Sequence, residues 1–295
     1  MKEENSKKDI NRAYKEVTCR IVMRLAEGDI PWRKRWCSPV SGKMNWKSRR
    51  RYGGVNLLLL EDEGEYMTFN QCREAGGHVR KGEKSHTIYQ RFPVFRTKEA
   101  KEEYERRQKA GQDTSDIDMM WILSTCSVFH LSQTEGVKTK IEHIEHAEAR
   151  TPTDMADFVI DEYKHTMRMN ITEMETDACS WNDGERILTV PSRKQFGTEE
   201  QFYNTVFGQL AKIALQATDN DGARKEKPQV QRELEAEIAS CMMMSGVGLA
   251  IPQTEQDTLA ECSKWMLELN RDFRLIVRAS TSAQKAAETI LQPIL

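Results

Sequence analysis

Aromatic rings and cations alternate between residues 30 and 56, and this alternation points more directly to a chemistry than any other feature of the sequence. Rings can stack on unpaired bases and cations can follow a phosphate backbone, so together they are typical of single-strand nucleic-acid binding. The rings predicted to stack on bases are Trp32, Trp36, Trp46 and Tyr52. The cations predicted to contact phosphates are Arg33, Lys34, Arg35, Lys47, Arg49, Arg50 and Arg51. The alternative is that the tryptophans are core residues and the arginines are solvated, but a core does not need three consecutive arginines beside its rings.

Two smaller features extend this hypothesis. Arg80, Lys81 and Lys84 form a second cationic cluster in a turn bounded by glycines, whose backbone amides could help to hold a phosphate. Taken alone, that cluster is equally well interpreted as a solvated turn. Asn56 could reach a base edge or cap the turn that ends the basic segment, and the turn role is favoured.

Catalytic groups are sparse in the second half of the chain. Of the six histidines, none follows His165. His143 and His146 are three residues apart and could bind a metal, but a solvated charge run is the better interpretation of their surroundings, Ile-Glu-His-Ile-Glu-His. No Ser/His/Asp order, Walker loop or G-x-G-x-x-G is present, so the residue pattern by itself indicates no reaction.

Charge is distributed unevenly although the net charge is only −2. Residues 1–60 carry 15 Lys and Arg against 6 Asp and Glu, whereas residues 137–295 carry 18 against 26. A basic front and an acidic back suggest that an anionic partner meets the front only.

The seven cysteines are scattered without a CxxC pair, which argues against a zinc ribbon or a redox dithiol and favours a reducing compartment. The polar start and the lack of a long apolar run predict a cytoplasmic protein without a signal peptide or membrane span.

Periodicity and turn residues divide the chain into two units. Before residue 137 the predicted elements are a helix over 8–27, a loop or weak hairpin over 37–54, a short helix over 69–75, and strands over 86–95 and 119–131. After residue 140 the predicted elements are helices over 155–167, 199–216, 229–244, 259–276 and 282–291, with a strand over 187–190. The predicted fold class is α+β, with a small mixed α/β domain (residues 1–137) followed by a mostly helical domain (residues 138–295).

A series of short motifs makes the first unit recognisable. The motifs are Gly28-x-x-Pro31-Trp32-Arg33-x-x-Trp36, Arg51-Tyr52-Gly53-Gly54-Val55-Asn56, Thr68-Phe69-x-Gln71, Gly76-Gly77-x-Val79-Arg80-Lys81-Gly82-Glu83-Lys84 and Val128-Phe129-x-x-x-Gln133-x-Glu135-Gly136. In order and spacing they resemble the single-stranded-DNA-binding domain of ArdC-type antirestriction proteins of bacterial plasmids, phages and conjugative elements. The resemblance spans about 110 residues and implies single-stranded DNA as the ligand.

The second unit resembles the zincin-type metallopeptidase domain that follows in that family. Pro191, Phe196 and Phe202-Tyr203-x-x-x-Phe207 lead into the helix that should carry His-Glu-x-x-His. The two histidine positions are Gly208 and Lys212, and the general-base position is Gln209. The downstream acidic helix is retained, with Glu233 or Glu237 at the position of the third ligand.

These replacements predict a domain that holds no metal or other cofactor and is not an enzyme. A zincin needs two neutral imidazoles and a carboxylate to hold Zn²⁺ and leave a site open for water. Glycine offers no ligand, an ammonium repels a cation, and an amide cannot take a proton from water. We expect Lys212 to occupy the former metal position and to pair with Glu233 or Glu237.

The resulting prediction is a mobile-element antirestriction-type protein that binds single-stranded DNA without sequence preference and carries an inactive second domain as scaffold or partner surface. One alternative is a hydrolase in which Glu233, Glu235, Glu237 and Asp183 bind Mg²⁺ or Mn²⁺. Another is an interaction module whose basic loop meets a host restriction or defence protein. No membrane partner is predicted.

Overall fold

The computed structural model describes residues 2–35, 37–141, 150–219, 227–252 and 255–295. Trp36, His143 and His146 lie outside the described residues, so what the sequence suggests for them stays a prediction. About 52% of the residues are helical and 17% lie in strands, with a mixed α/β N-terminal region and a helical C-terminal part. The predicted α+β class is therefore confirmed.

The N-terminal half mixes helices with strands. Its elements are α1 (Lys2–Ala26), β1 (Met44–Asn45), α2 (Val55–Leu59), β2 (Glu65–Met67), α3 (Phe69–Glu74), β3 (His78–Val79), β4 (His86–Phe95), α4 (Lys98–Lys109), β5 (Met119–His130) and β6 (Thr134–Glu135). One sheet has the order β1-β2-β5-β4, with β1 and β2 parallel and the other neighbours antiparallel. The β4–β5 ladder, from His86 paired with Val128 to Phe95 paired with Met119, is the longest.

The C-terminal half is mostly helical. Its elements are α5 (Pro152–Met167), β7 (Asn170–Met174), β8 (Ser180–Asn182), β9 (Ile187–Pro191), α6 (Glu199–Asp219), α7 (Gln229–Gly246), α8 (Glu255–Arg271) and α9 (Leu275–Leu291). A small sheet has the order β7-β9-β8, in which β8 and β9 form an antiparallel hairpin and β9 contains the strand predicted over 187–190. No helix in the described part of the chain combines the length and the apolar character that crossing a membrane requires.

Helix α7 is the central element of the second half, and it carries three candidate site residues, Glu233, Glu235 and Glu237. It packs against α6 and α9. Leu234, Ile238 and Met242 are buried along it, and so are Cys241, Met243 and Met244 on other sides. A helix that is apolar on most sides must be covered by its neighbours, so the orientation of α7 is fixed by packing.

One hydrophobic core crosses the predicted boundary between residues 137 and 138. Helix α1 packs against α8, and Thr18 Oγ1 donates a hydrogen bond to the backbone oxygen of Phe273 at 2.8 Å. The rings of Trp32 and Trp265 meet edge to face with 6.4 Å between centroids. The boundary itself stays a prediction, but a fragment of residues 1–137 would expose apolar surface that the second half covers.

Candidate functional site

The zincin-like positions of α6 and α7 line a cavity of about 510 Å³. Gly208 and Lys212 lie one turn apart on α6, and Glu233 and Glu237 lie one turn apart on α7. A Cβ atom added at Gly208 would come no closer than 4.0 Å to the nearest neighbouring atom, the Oγ of Ser240. The cavity therefore has room for a side chain at the position where the zincin pattern places its first histidine.

The carboxylate of Glu237 is held by three donors that come from both halves of the chain. Its Oε1 accepts from Trp32 Nε1 at 2.8 Å and from the guanidinium of Arg33 at 3.3 Å. Its Oε2 accepts from Trp265 Nε1 at 3.0 Å. Two indole N–H groups and a cation thus engage both oxygens, and such charge-assisted bonds are about twice as strong as neutral ones.

Arg33 extends from the segment that follows α1 into this cavity and also pairs with Glu261 of α8. Its side chain is only 10% exposed. Burial alone would lower the pKa of Arg33, but Glu237 and Glu261 more than reverse that effect, so the guanidinium stays charged. The prediction that Arg33 contacts DNA is therefore wrong for this conformation, because its charge is used inside the fold.

Lys212 does not make the ion pair that the sequence suggests. It is exposed, and among the described residues it pairs with neither carboxylate of α7. Glu233 pairs instead with Lys264 of α8 at 2.7 Å, and this hydrogen bond is the main reason why the pKa of Glu233 is lowered. The cations that pair with Glu237 and Glu233 are Arg33, from the segment after α1, and Lys264, from helix α8, and the sequence of α6 and α7 gives no sign of either.

The residues present do not fit the zinc ion of a zincin-type domain. Gly208 has no side chain that could coordinate a metal, and the ammonium of Lys212 repels a cation. The amide of Gln209 cannot take a proton from water. The carboxylate of Glu237 already has donors on both oxygens. Within the described ranges, no three His, Cys, Asp or Glu side chains come together as a metal-binding group.

The alternative carboxylate site is likewise not assembled among the described residues. Glu235 is fully buried and is bound by Lys227 at 2.8 Å and by Gln231 at 2.8 Å. Asp183 lies exposed in the β8–β9 hairpin, with Arg186 as its neighbour. The four carboxylates of the relocated-site hypothesis therefore do not form one ligand set.

Three more of the predicted nucleic-acid contacts are buried, so the structure contradicts them. Trp32 has 0% and Tyr52 has 7% of its surface exposed, and a base cannot stack on a covered ring. Asn56 is also buried; its Nδ2 donates to the backbone oxygen of Tyr89 and its Oδ1 accepts from the backbone N–H of Tyr89, both at 2.8 Å. Asn56 therefore joins α2 to β4 rather than capping a turn or reading a base.

The remaining cations after β1 do lie on one accessible surface. Asn45 Oδ1 accepts from the backbone N–H groups of Lys47 and Ser48, and the resulting turn leaves the following side chains outside. Lys47, Arg49, Arg50 and Arg51 are all exposed. Arg49 pairs with Glu65 and Lys47 with Glu74, whereas Arg51 contacts only the backbone oxygen of Pro39 among the described residues.

Residues 138–141 lie against this turn, and they bring two cations that the sequence analysis missed. Trp46 Nε1 donates to the backbone oxygen of Lys138 at 2.9 Å. The ammonium of Lys140 lies 3.5 Å from the centroid of the Trp46 ring, a cation–π contact. We call the exposed residues Lys47, Arg49, Arg50, Arg51, Lys138 and Lys140, together with the half-buried Trp46, the basic surface. The sequence shows that Lys138 and Lys140 are cations. It does not show that they lie near residues 46–51, because more than 80 residues separate the two segments.

The other predicted cations are accessible but are not shown to join the basic surface. Arg80 pairs with Glu83, whereas Lys81 and Lys84 are exposed in the turn after β3. Arg35 is exposed, and Lys34 pairs with Asp29 at 2.5 Å. Gln133 fixes the turn after β3 by donating to Glu83 and to the backbone oxygen of Lys84.

Two family models match consecutive parts of the chain. The N-terminal domain of anti-restriction factor ArdC matches residues 11–129, and a zincin-like metallopeptidase domain matches residues 159–282. Crystal structures of the antirestriction protein ArdC from plasmid R388 superpose with TM-scores of 0.67 for the metal-free form and 0.68 for the Mn(II)-bound form. Each superposition covers 95% of this chain and 97% of the ArdC chain. The sequence identities are 25% for the metal-free form and 24% for the Mn(II)-bound form.

Curated relatives include longer proteins. Two proteins named DNA primase TraC from Escherichia coli are each 25% identical over 94% of this chain, which spans only 27% and 20% of their lengths. The uncharacterized protein y4eC of Sinorhizobium fredii is 23% identical over 93% of this chain and 90% of its own length. With both domain types present in order and the ArdC fold reproduced along nearly its whole length, the chain belongs to the family of ArdC-type antirestriction proteins.

Proposed function

We propose that this chain binds single-stranded DNA without sequence preference through the basic surface. The observation that carries the proposal is the gathering of exposed cations from residues 47–51 and 138–140 around one tryptophan. Cations that face solvent can replace the counterions of a phosphate backbone, and the release of these counterions favours binding. Contacts between cations and phosphates carry no information about the base sequence. The affinity should therefore be general rather than sequence-specific.

The family supports a biological setting for this binding. The name of the matching domain is that of an antirestriction factor, and two of the relatives carry the name of a DNA primase. A protein of a mobile genetic element that coats or escorts single-stranded DNA, or protects it from restriction, would use such a surface. A host restriction or defence protein is the second class of partner. The seven free thiols of this chain favour the cytoplasm as the compartment in which the chain acts.

We further propose that the second domain is not catalytic. Its support is that a glycine and an ammonium line the cavity at the two histidine positions, that the general-base position is an amide, and that side chains engage Glu237. The domain would then serve as a scaffold, because its core is continuous with that of the first domain. Metal analysis of the purified chain tests this: stoichiometric zinc bound through residues 208–237 would contradict it.

The binding proposal is tested on the whole chain, since the two halves share a core. Labelled single-stranded and double-stranded oligonucleotides of equal length are titrated at several salt concentrations. We expect tighter binding of the single strand and an affinity that falls steeply as salt rises. Replacing Lys47, Arg50 and Lys138 by Ala should weaken binding to all sequences and lower the salt slope by about one for each phosphate that is no longer neutralised.

The matched control removes three exposed lysines elsewhere. Lys98, Lys101 and Lys109 of α4 carry the same total charge and lie on a different element. Their replacement by Ala should change binding far less than replacement on the basic surface. Equal weakening by both triple variants would mean that net charge, and not this surface, governs binding. If the wild-type chain binds no oligonucleotide but a defence protein captures it, the interaction-module alternative replaces the proposal.

A further inference from the structure

A carboxylate is buried beneath the basic surface. Glu65 is the first residue of β2, and its side chain is 0% exposed. In the parallel pairing of β1 with β2 it lies opposite Met44, the residue before Asn45, whose side chain fixes the turn that carries the cations of residues 47–51. Burying an ionised group is costly unless it is paired and hydrogen-bonded, so the partners of this carboxylate show what holds it there.

Arg49 and the segment of residues 138–140 supply these partners. The guanidinium of Arg49 pairs with Oε1 of Glu65. Oε2 accepts from Thr139 Oγ1 at 2.8 Å and from the backbone N–H of Lys140 at 2.9 Å. Arg49 also donates to the backbone oxygen of Lys140 at 3.3 Å. One buried carboxylate therefore joins β2 and the turn to a segment 74 residues further along the chain.

These bonds determine where the side chains of Lys138 and Lys140 lie. Both lysines are exposed, whereas the backbone between them is held from below by Glu65. Trp46 adds two bonds at the surface, from its indole N–H to the backbone oxygen of Lys138 and from the ammonium of Lys140 to its own backbone oxygen at 3.4 Å. Hydrogen bonds to an ionised acceptor are about twice as strong as neutral ones, so Glu65 is the strongest anchor of the segment.

From these contacts we infer that Glu65 is a positioning residue for nucleic-acid binding. It holds the 138–140 segment against Trp46, so that Lys138 and Lys140 face the phosphates of a single strand lying on the cations of the turn. The carboxylate is itself buried, and the guanidinium of Arg49 balances its charge. The inference rests on the proposed function and adds to it a negatively charged residue that strengthens the binding of a polyanion.

Removal of this charge separates positioning from simple electrostatics. Glu65→Ala takes a negative charge away from a basic surface, and Coulomb attraction alone would then tighten the binding of DNA. We expect the opposite, because the 138–140 segment loses its anchor and two lysines leave the strand. Single-strand affinity should fall by roughly tenfold or more at about 0.1 M salt, and the salt slope should decrease by about one for each lysine.

Glu74→Ala is the matched control. Glu74 also pairs with a cation of the basic surface, Lys47, but among the described residues it makes no hydrogen bond or ion pair with the 138–140 segment. Its removal should leave the salt slope undiminished and the affinity equal to or above that of wild type. Binding by Glu65→Ala that is as tight as binding by Glu74→Ala would overturn the inference.

A neutral substitution in the segment tests the same anchor without changing any charge. Thr139→Val removes one hydrogen bond to Glu65, and it carries the test if Glu65→Ala does not fold. It should weaken single-strand binding and lower the salt slope, both by less than Glu65→Ala. Thr125→Val, at an exposed threonine of β5, should bind like wild type. Wild-type affinity and salt slope in Thr139→Val would contradict the inference.

A double-mutant cycle links the carboxylate to a lysine that it places. Lys138→Ala should weaken binding in the wild-type background and much less in the Glu65→Ala background, since Lys138 has then already left the strand. Additive losses would show that Glu65 and Lys138 act separately, which overturns the inference and leaves the proposed function intact. Absence of oligonucleotide binding by the wild-type chain would instead overturn the proposed function itself.

Discussion

The indole N–H of Trp32 donates a hydrogen bond of 2.8 Å to the carboxylate of Glu237, a residue 205 positions later in the chain. Trp32 belongs to the segment in which the sequence predicted DNA contacts, and Glu237 belongs to the helix in which it predicted a former metal ligand. The bond therefore explains two outcomes together. The ring is unavailable for stacking because it anchors the carboxylate, and the carboxylate needs no metal because side chains satisfy it.

Replacing Trp32 by Phe isolates this hydrogen bond from the packing of the ring. The variant keeps most of the buried aromatic volume but removes a donor to a charged acceptor, which should lower the free energy of unfolding by about 1.5–3 kcal/mol. Trp121→Phe, a change at an exposed ring of the β4–β5 ladder, should alter it by less than about 0.5 kcal/mol. Urea unfolding measures both. Folded Trp32→Phe protein should bind single-stranded DNA like wild type, and a strong loss of binding without a loss of stability would restore Trp32 as a stacking residue.

The pairing of Arg33 with Glu237 and Glu261 should be measurable as a coupling. Arg33→Met leaves two partly buried carboxylates without their cation, so we expect a loss of about 2–3 kcal/mol of unfolding free energy, less than for a fully buried pair. Adding Glu237→Gln and Glu261→Gln should recover at least about 1 kcal/mol relative to the sum of the separate effects. Strictly additive effects would show that the ion pairs contribute no coupling.

The sequence was sufficient for the local elements and insufficient for what they bring together. The helices predicted over 69–75, 199–216 and 229–244 and the strand predicted over 187–190 each follow from contiguous residues, and the structure has α3, α6, α7 and β9 at these places. The replacements at Gly208, Gln209 and Lys212 were also readable directly. Local patterns carry this kind of information because capping, turn chemistry and amphipathicity act over short separations.

Long-range partners were not readable. Nothing in the residues near Arg33 indicates that acidic side chains more than 200 positions later will neutralise it, and a tryptophan between cations looks the same whether it faces solvent or core. Lys138 and Lys140 were missed for the same reason, because only the fold places them on Trp46. Side-chain burial depends on tertiary packing, and a single sequence constrains that packing only weakly.

Lys43 gives the stability of this protein a predictable dependence on pH. The side chain is 2% exposed, and its ammonium donates to the backbone oxygen of Leu60 at 2.6 Å. Burial is the main cause that lowers its pKa to about 8 from an ordinary value of 10.5. In the range between these values the unfolded chain binds more protons than the folded one, so raising the pH stabilises the fold. The penalty for burying the charge is complete below about pH 8 and disappears as the pH approaches 10.5.

A comparison with Lys43→Met isolates this effect from the other groups that titrate in alkali. Unfolding free energies of both proteins are measured by urea titration from about pH 7.5 upward, which begins just below the lowered pKa. The free energy of unfolding of wild type minus that of Lys43→Met should increase as the pH rises through this window. The increase should be at most about 1.4 kcal/mol for each pH unit. Parallel pH curves would show that the pKa of Lys43 is the same in the folded and unfolded chain.

Restoring the zincin residues tests whether Arg33 stands in for the metal. The cavity has room at Gly208, and positions 208 and 212 lie one turn apart on α6, so the triple change Gly208→His, Gln209→Glu and Lys212→His should place two imidazoles on one helix face. The carboxylates of α7 would still be engaged by Arg33 and Lys264. We therefore expect the triple variant to bind Zn²⁺ only weakly, and the addition of Arg33→Ala to raise the affinity at least about tenfold. Competition with a chelating dye measures the affinity, and elemental analysis measures the stoichiometry.

Two further additions make the restoration decisive. Arg278→Ala removes an arginine that pairs with Asp272 outside the cavity, and added to the triple variant it should leave zinc affinity unchanged. Lys264→Ala frees Glu233 instead of Glu237, so whichever of Arg33→Ala and Lys264→Ala has the larger effect identifies the third ligand position. Tight zinc binding by the triple variant with Arg33 present would refute the idea that the guanidinium replaces the metal. A Zn²⁺ bound to Glu237 would lie close to the guanidinium of Arg33, and the two cations would repel each other. Tight binding of both is therefore incompatible with the guanidinium occupying the place of the metal.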